Sequence, residues 1–199
     1  GFPYIFPSNL LKIPKYGIIN CHAGRLPEYR GGSPLNWQII NREKYIGLSV
    51  IKMSKEIDEG KIINETKFLN KNYDILKAHK KANSIFPNLV LNSIIDLKKN
   101  KKLKTQKINK ARYWKQRTEK DSLFVPKTIS FLKVLAMIKA LKKPYPNPYF
   151  FDKKRKIVVL NAKISKKRIK PGFIKYNKKS IIIGCKDESL KLIDFNIKK

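Results

Sequence analysis

The chain has 199 residues, 42% of them apolar, with 2 Trp, 9 Tyr and 10 Phe, which is enough for one large or two small packed domains and excludes an intrinsically disordered chain. Its 46 basic and 14 acidic side chains leave a net charge of +32. Cys21 and Cys185 lie too far apart in sequence to suggest a disulfide framework or a metal-binding spacing, and no apolar run approaches the roughly 18 residues of a membrane span. A soluble, cytoplasmic protein with reduced thiols, no metal and no membrane contact is the expectation.

In chain order, the opening Gly1-Phe2-Pro3-Tyr4-Ile5-Phe6 lacks the basic flank and cleavage pattern of a signal peptide, and Tyr4, Ile5 and Phe6 read as buried strand. Gly17 to His22 is short, apolar and β-branched, which predicts a strand whose period of two puts Ile18, Asn20 and His22 on one face. The same alternation sets aside a Cys21–His22 nucleophilic pair, since neighbours on a strand point to opposite faces. Ser33-Pro34 followed by Leu35, Trp37, Ile39 and Ile40 predicts an N-cap, a first-turn proline and a short helix ending near Asn41. Gly47 to Met53 and Lys61 to Leu69 read as strands joined through a turn at Asp58-Glu59-Gly60. Asn72 or Asp74 then caps a helix through Ile75, Leu76, Ala82, Ile85, Leu89, Ile94 and Leu97, which Pro87 is expected to kink or split.

That helix closes a first domain, 1–97. Residues 98–110, lysine-rich and poor in apolar side chains, read as a basic linker. A second domain, 111–199, carries a helix over Thr128 to Leu141, stopped by Pro144, and short strands at Lys156–Ile164, Phe173–Tyr176, Ser180–Gly184 and Leu190–Phe195. This predicts a small β-barrel-like, OB-like domain. The charge is uneven: 71–199 hold 36 basic and 8 acidic side chains, +28 of the +32. The excess reads either as an anion-facing surface or as a solvated lysine coat.

The run from Asn20-Cys21-His22 through Arg25-Leu26-Pro27-Glu28-Tyr29-Arg30-Gly31-Gly32 to Ser33-Pro34-Leu35-Asn36-Trp37, with Asp58-x-Gly60 36 residues after the histidine, resembles the signature of formyltransferases that use 10-formyltetrahydrofolate. Tyr113-Trp114-Lys115-Gln116-Arg117, Asp121-Ser122 and Lys143-Pro144-Tyr145-Pro146 resemble that family's C-terminal domain. The resemblance implies an α/β fold: part of a Rossmann-like formyltransferase catalytic domain, then the barrel-like domain. It covers roughly the last two thirds of a family member, the first strands of which precede the segment matched by Gly-Phe-Pro-Tyr-Ile-Phe. The chain departs from the family pattern at Arg25, at Gly32 and at Phe124-Val125.

The resemblance further implies catalytic roles for Asn20, His22 and Asp58. When an amine attacks a formyl carbon, negative charge grows on the carbonyl oxygen and positive charge on the nitrogen. Asn20 can donate an amide N–H to the oxyanion, His22 can act as acid or base, and Asp58 can favour the charged imidazole. Tyr4, Ile5, Phe6, Arg25, Leu26, Pro27, Gly32, Ser54, Lys55, Glu56 and Ile57 are expected to line the folate pocket. The co-substrate implied is 10-formyltetrahydrofolate, with no metal. Two acceptors follow from the resemblance: an amine-bearing sugar nucleotide, suggested by Pro34-Leu35-Asn36-Trp37 and Tyr113-Trp114-x-Gln116-Arg117, or initiator methionyl-tRNA, suggested by the +28 of the second part. A third reading is a non-catalytic remnant that keeps a basic RNA-binding barrel.

Overall fold

The structure, a computed structural model, describes residues 6–198. They form two compact units, one of residues 6–38 and 43–116 and another of residues 39–42 and 117–198. In chain order the first unit carries α1 (Ser8–Lys12), β1 (Ile19–His22), β2 (Arg30–Gly31), most of α2 (Pro34–Ile40), β3 (Tyr45–Lys52), β4 (Ile62–Leu69), α3 (Ile75–Lys98) and β5 (Tyr113–Trp114). The second carries α4 (Phe131–Ala140), β6 (Tyr149–Asp152), β7 (Arg155–Ile164), β8 (Ile174–Asn177), β9 (Ser180–Gly184) and β10 (Ser189–Lys198).

The first unit is Rossmann-like, with helices and strands mixed, and its main sheet has the order β1-β3-β4 with antiparallel pairing throughout. β3 is the central strand and is buried along almost its whole length, which is why its sequence alternates only loosely. Ile46, Leu48 and Val50 are fully buried, and the intervening positions are covered by other means. Ser49 Oγ donates to Gly24 O at 2.9 Å, and the Gly47 N–H donates to Gln38 Oε1 at 2.7 Å. The register sets His22 opposite Ser49 and Asn20 opposite Ile51.

α3 packs on β3 and β4 through the fully buried Ile75 and through Ala78 and Ala82, whose small volumes let the helix approach closely. Asp74 is its N-cap, accepting the Lys77 N–H at 2.9 Å. The helix is not split at Pro87 but runs through it as one element.

The segment expected as a linker is folded into the first unit. Ile62 and Lys104 exchange backbone hydrogen bonds at 2.9 and 3.0 Å, Gln106 is buried, and β5 pairs in parallel with β2. In the second unit Ser130 caps α4, and Val134, Ala136, Met137, Ile138 and Ala140 bury its inner face. The five strands run in the order β6-β7-β10-β9-β8 as a curled antiparallel half-barrel, with β6 and β8 as its two edges rather than a closed pair. β6 and α1 had no counterpart in the sequence reading. Among the described residues, no helix is long and apolar enough to cross a membrane.

Candidate functional site

His22 ends β1 and is 5% exposed. Its two ring nitrogens face different partners. Nε2 lies 2.6 Å from the carbonyl oxygen of Tyr29, and since that oxygen can only accept, Nε2 carries the proton. Nδ1 lies 3.5 Å from Asp58 Oδ2.

Asp58 gathers the site. Its Oδ2 accepts the backbone N–H of Gly31 at 2.9 Å, its Oδ1 is 3.4 Å from Asn20 Nδ2, and its backbone is left-handed with φ 54°. Aspartate tolerates this conformation better than most side chains. The turn closes because Gly60 has no side chain: a Cβ there would stand 1.7 Å from Lys52 O. Gly31, at φ 90°, is constrained similarly, its Cβ position lying 2.2 Å from Trp114 O. The glycine therefore lets β2 meet β5, a role in the protein's own packing.

Asn20, His22 and Asp58 thus come together, and all three line a cleft of about 1070 Å³. Its apolar walls include Phe6, Ile18, Ile19, Ile51, Met53 and Ile57, and its polar rim includes Ser54, Lys55, Glu56 and Gln116. Of the pocket residues expected from the sequence, Phe6, Gly32, Ser54, Lys55, Glu56 and Ile57 are on this wall. Tyr4 and Ile5 lie outside the described residues.

Arg25, Leu26 and Pro27 are not on the wall, which corrects the expectation for them. Leu26 is packed in a core cluster with Ile51 and Ile62, and the Pro27 carbonyl accepts the Arg112 N–H at 3.1 Å. Arg25 turns to Glu28 and Glu43, at 3.7 and 3.5 Å, and lies over the Tyr29 ring. An apolar side chain between buried strands gains more from the core than from a wet cleft. Ile18, Ile19, Cys21, Ala23, Gly31, Ser33, Ile51 and Met53 also line the cleft without having been expected there, as do Pro34 and Gln116, which the sequence marked only as residues of acceptor-related motifs. For Ile18 and Cys21 the nearness to the Asn20–His22 strand was a usable signal; Gln116, about 60 residues beyond Asp58, was marked only by its place in the Tyr113-Trp114-x-Gln116-Arg117 motif.

Two family descriptions match this chain: "Formyl transferase" over residues 1–82 and "Formyl transferase, C-terminal domain" over residues 128–199. The chain belongs to the formyltransferase family. It is 35% identical over 199 residues to the bifunctional polymyxin resistance protein ArnA of Wigglesworthia glossinidia brevipalpis, covering 95% of this chain and 29% of that protein. It is 25% identical over 193 residues to the methionyl-tRNA formyltransferase of Caldanaerobacter subterraneus subsp. tengcongensis, covering 96% of this chain and 62% of the relative. The chain therefore spans less than two thirds of the length of these relatives. The fold also matches the crystal structure of the N-formyltransferase from Helicobacter canadensis in complex with folinic acid and dTDP-3-aminofucose, with a TM-score of 0.67, 17% identity, and coverage of 90% of this chain and 66% of that one.

The two thiols differ in a way that reports on the cleft. Cys21 is exposed and on its wall, although partial burial pushes its pKa up. Cys185 is 1% exposed, and burial, then Asp187, pushes its thiol up to about 12. Because the thiolate is the reactive form, maleimide labelling at pH 8 is expected to modify Cys21 alone in the folded chain, and Cys185 only after denaturation. Mass spectrometry of the labelled peptides checks this, and simultaneous labelling of both thiols would contradict it.

Proposed function

We propose that this chain transfers a formyl group from 10-formyltetrahydrofolate to a primary amine, with an amino sugar on a nucleotide carrier as the preferred acceptor. The observation that carries the reading is the convergence of Asn20, His22 and Asp58 on one cleft whose apolar walls and polar rim suit a flat, hydrogen-bonding pterin. In the reaction the amine nitrogen bonds to the formyl carbon, the bond from that carbon to the folate nitrogen breaks, and the proton lost by the amine is balanced by one gained at the folate nitrogen.

The residues divide this work. The Asn20 amide has two N–H groups, so it can keep its long contact to Asp58 and still offer a donor to the developing oxyanion. Both nitrogens of His22 are engaged by the protein, and of the two contacts the 3.5 Å one to Asp58 is beyond good hydrogen-bond length. A substrate replaces that contact more cheaply than the 2.6 Å bond to Tyr29, so proton traffic is assigned to Nδ1. Asp58 holds negative charge beside the nitrogen that becomes positive.

The sugar-nucleotide acceptor is supported by the Pro34-Leu35-Asn36-Trp37 and Tyr113-Trp114-x-Gln116-Arg117 motifs, and the N-formyltransferase of like fold from Helicobacter canadensis was solved with dTDP-3-aminofucose. Methionyl-tRNA is the second reading, favoured by the +28 carried by residues 71–199 and by the methionyl-tRNA formyltransferase relatives. The test is formyl transfer from 10-formyltetrahydrofolate to a dTDP-amino sugar and to methionyl-tRNA at two salt concentrations. With the sugar nucleotide, turnover is expected, changing little between 50 and 200 mM salt and falling ~10²–10³-fold in His22→Ala. Steeply salt-weakened turnover on tRNA alone would replace the sugar by the tRNA, and RNA binding with no turnover on either acceptor would overturn the enzymatic reading.

A further inference from the structure

We propose that Gln106, in the lysine-rich stretch after α3, is a positioning residue that locks Asp58 in its working conformation. The Gln106 side chain is 7% exposed and sits behind the Asp58 turn. Its Nε2 donates to the carbonyl oxygens of Asp58 and Gly60, at 2.8 and 2.7 Å. Its Oε1 accepts Arg30 Nε at 3.0 Å. Arg30 is itself 3% exposed, and its Nη1 donates to Glu59 Oε1 at 2.8 Å and to the Tyr113 hydroxyl at 3.1 Å.

These contacts form a closed circuit. The Asp58 carboxylate is held from the front by the Gly31 N–H, Arg30 precedes Gly31 in the chain, and Arg30 holds Gln106, which holds the Asp58 carbonyl from behind. A residue at φ 54° persists only where its surroundings over-determine it. Here the two donors of Gln106 fix the carbonyls of the Asp58–Glu59 and Gly60–Lys61 peptides, so the backbone that aims the Asp58 carboxylate cannot leave its left-handed conformation without breaking hydrogen bonds that are wholly or partly buried. The backbone pairing of Lys104 with Ile62 brings the glutamine to this place.

The role rests on the formyl-transfer reading of the cleft, but its first test does not depend on turnover. The chain has two histidines, His22 and His79, and burial lowers the pKa of the latter, so ¹⁵N-histidine labelling gives two resolvable imidazoles, assigned through His22→Ala. Gln106→Glu keeps an acceptor for Arg30 and removes both donors; Gln106→Met removes the donors with no added charge and serves if the first variant does not fold. In either folded variant the His22 Nδ1 signal is expected to move while that of His79 stays. The kcat for formyl transfer, taken per folded chain as measured by circular dichroism so that an unfolded fraction cannot mimic the effect, is expected to drop ~10–100-fold with the KM for the amine within about twofold. An unchanged His22 signal in both variants, each with native circular dichroism, would overturn the positioning role. A shifted signal alongside a wild-type chain that transfers no formyl group would leave the role of Gln106 standing and remove the function proposed for the cleft.

Discussion

Asp58→Asn is expected to slow formyl transfer about 100-fold while leaving the chain folded. Asparagine tolerates the left-handed backbone at this position, and its amide oxygen can still accept the Gly31 N–H that Asp58 takes at 2.9 Å. What disappears is the charge. The imidazole of His22, 3.5 Å away, loses its anionic neighbour, and the nitrogen that becomes cationic during attack loses the nearest compensating group. Steady-state kinetics alongside thermal unfolding separates the two effects. Activity within threefold of the parent chain, at unchanged Tm, would remove Asp58 from the chemistry and leave it a turn residue.

Gly60→Ala is expected to be the most damaging single-methyl change near the site. The added Cβ would fall 1.7 Å from Lys52 O, a backbone atom of the central strand that cannot move aside as a side chain can. Relief requires the 53–61 turn to move, which breaks the Lys52 N–H bond to Lys61 O and disturbs the Gly60 carbonyl bonded to Gln106. A destabilisation of about 3–5 kcal/mol follows, at the upper end of single substitutions, with Tm lowered by roughly 10–20 °C for a unit of this size. Differential scanning calorimetry measures it. A loss below about 1 kcal/mol would mean that the turn is far softer than its contacts indicate.

Where the sequence was legible, a local pattern and a tertiary role coincided. Ser180–Gly184 emerged with its observed ends because a β-branched run bounded by turns is also fully buried, and α3 was readable from Asp74 onward because its cap and its apolar spacing agree. β6 was hidden because Pro144-Tyr145-Pro146-Asn147-Pro148 precedes it and only four residues form the strand. The stretch 98–110 looked like a tether because its lysines point to water; the inward-facing Gln106 is one polar residue among them, and nothing local marks it as buried.

The site was legible to a similar degree and for a similar reason. Asn20, His22 and Asp58 were found through an ordered motif, and the structure brings them together. Arg25, Leu26 and Pro27 belong to the same motif but serve the packing behind it: Leu26 fills the core, and the loop they begin delivers the Tyr29 carbonyl to His22. Nearness to His22 in the sequence does not say on which side of it a residue will stand. The parallel pair β2–β5 joins residues about 80 positions apart through a glycine contact, a relation that no periodicity carries.

The most direct measurement is a crystal structure of the chain with bound 5-formyltetrahydrofolate, a stable relative of the formyl donor. The expected result is the pterin between the apolar walls of the cleft, with the formyl group turned towards His22 and its oxygen within about 3 Å of Asn20 Nδ2. A folate seated elsewhere, or seated in the cleft with its formyl group directed away from Asn20, His22 and Asp58, would contradict the assignment of these three residues to one-carbon transfer.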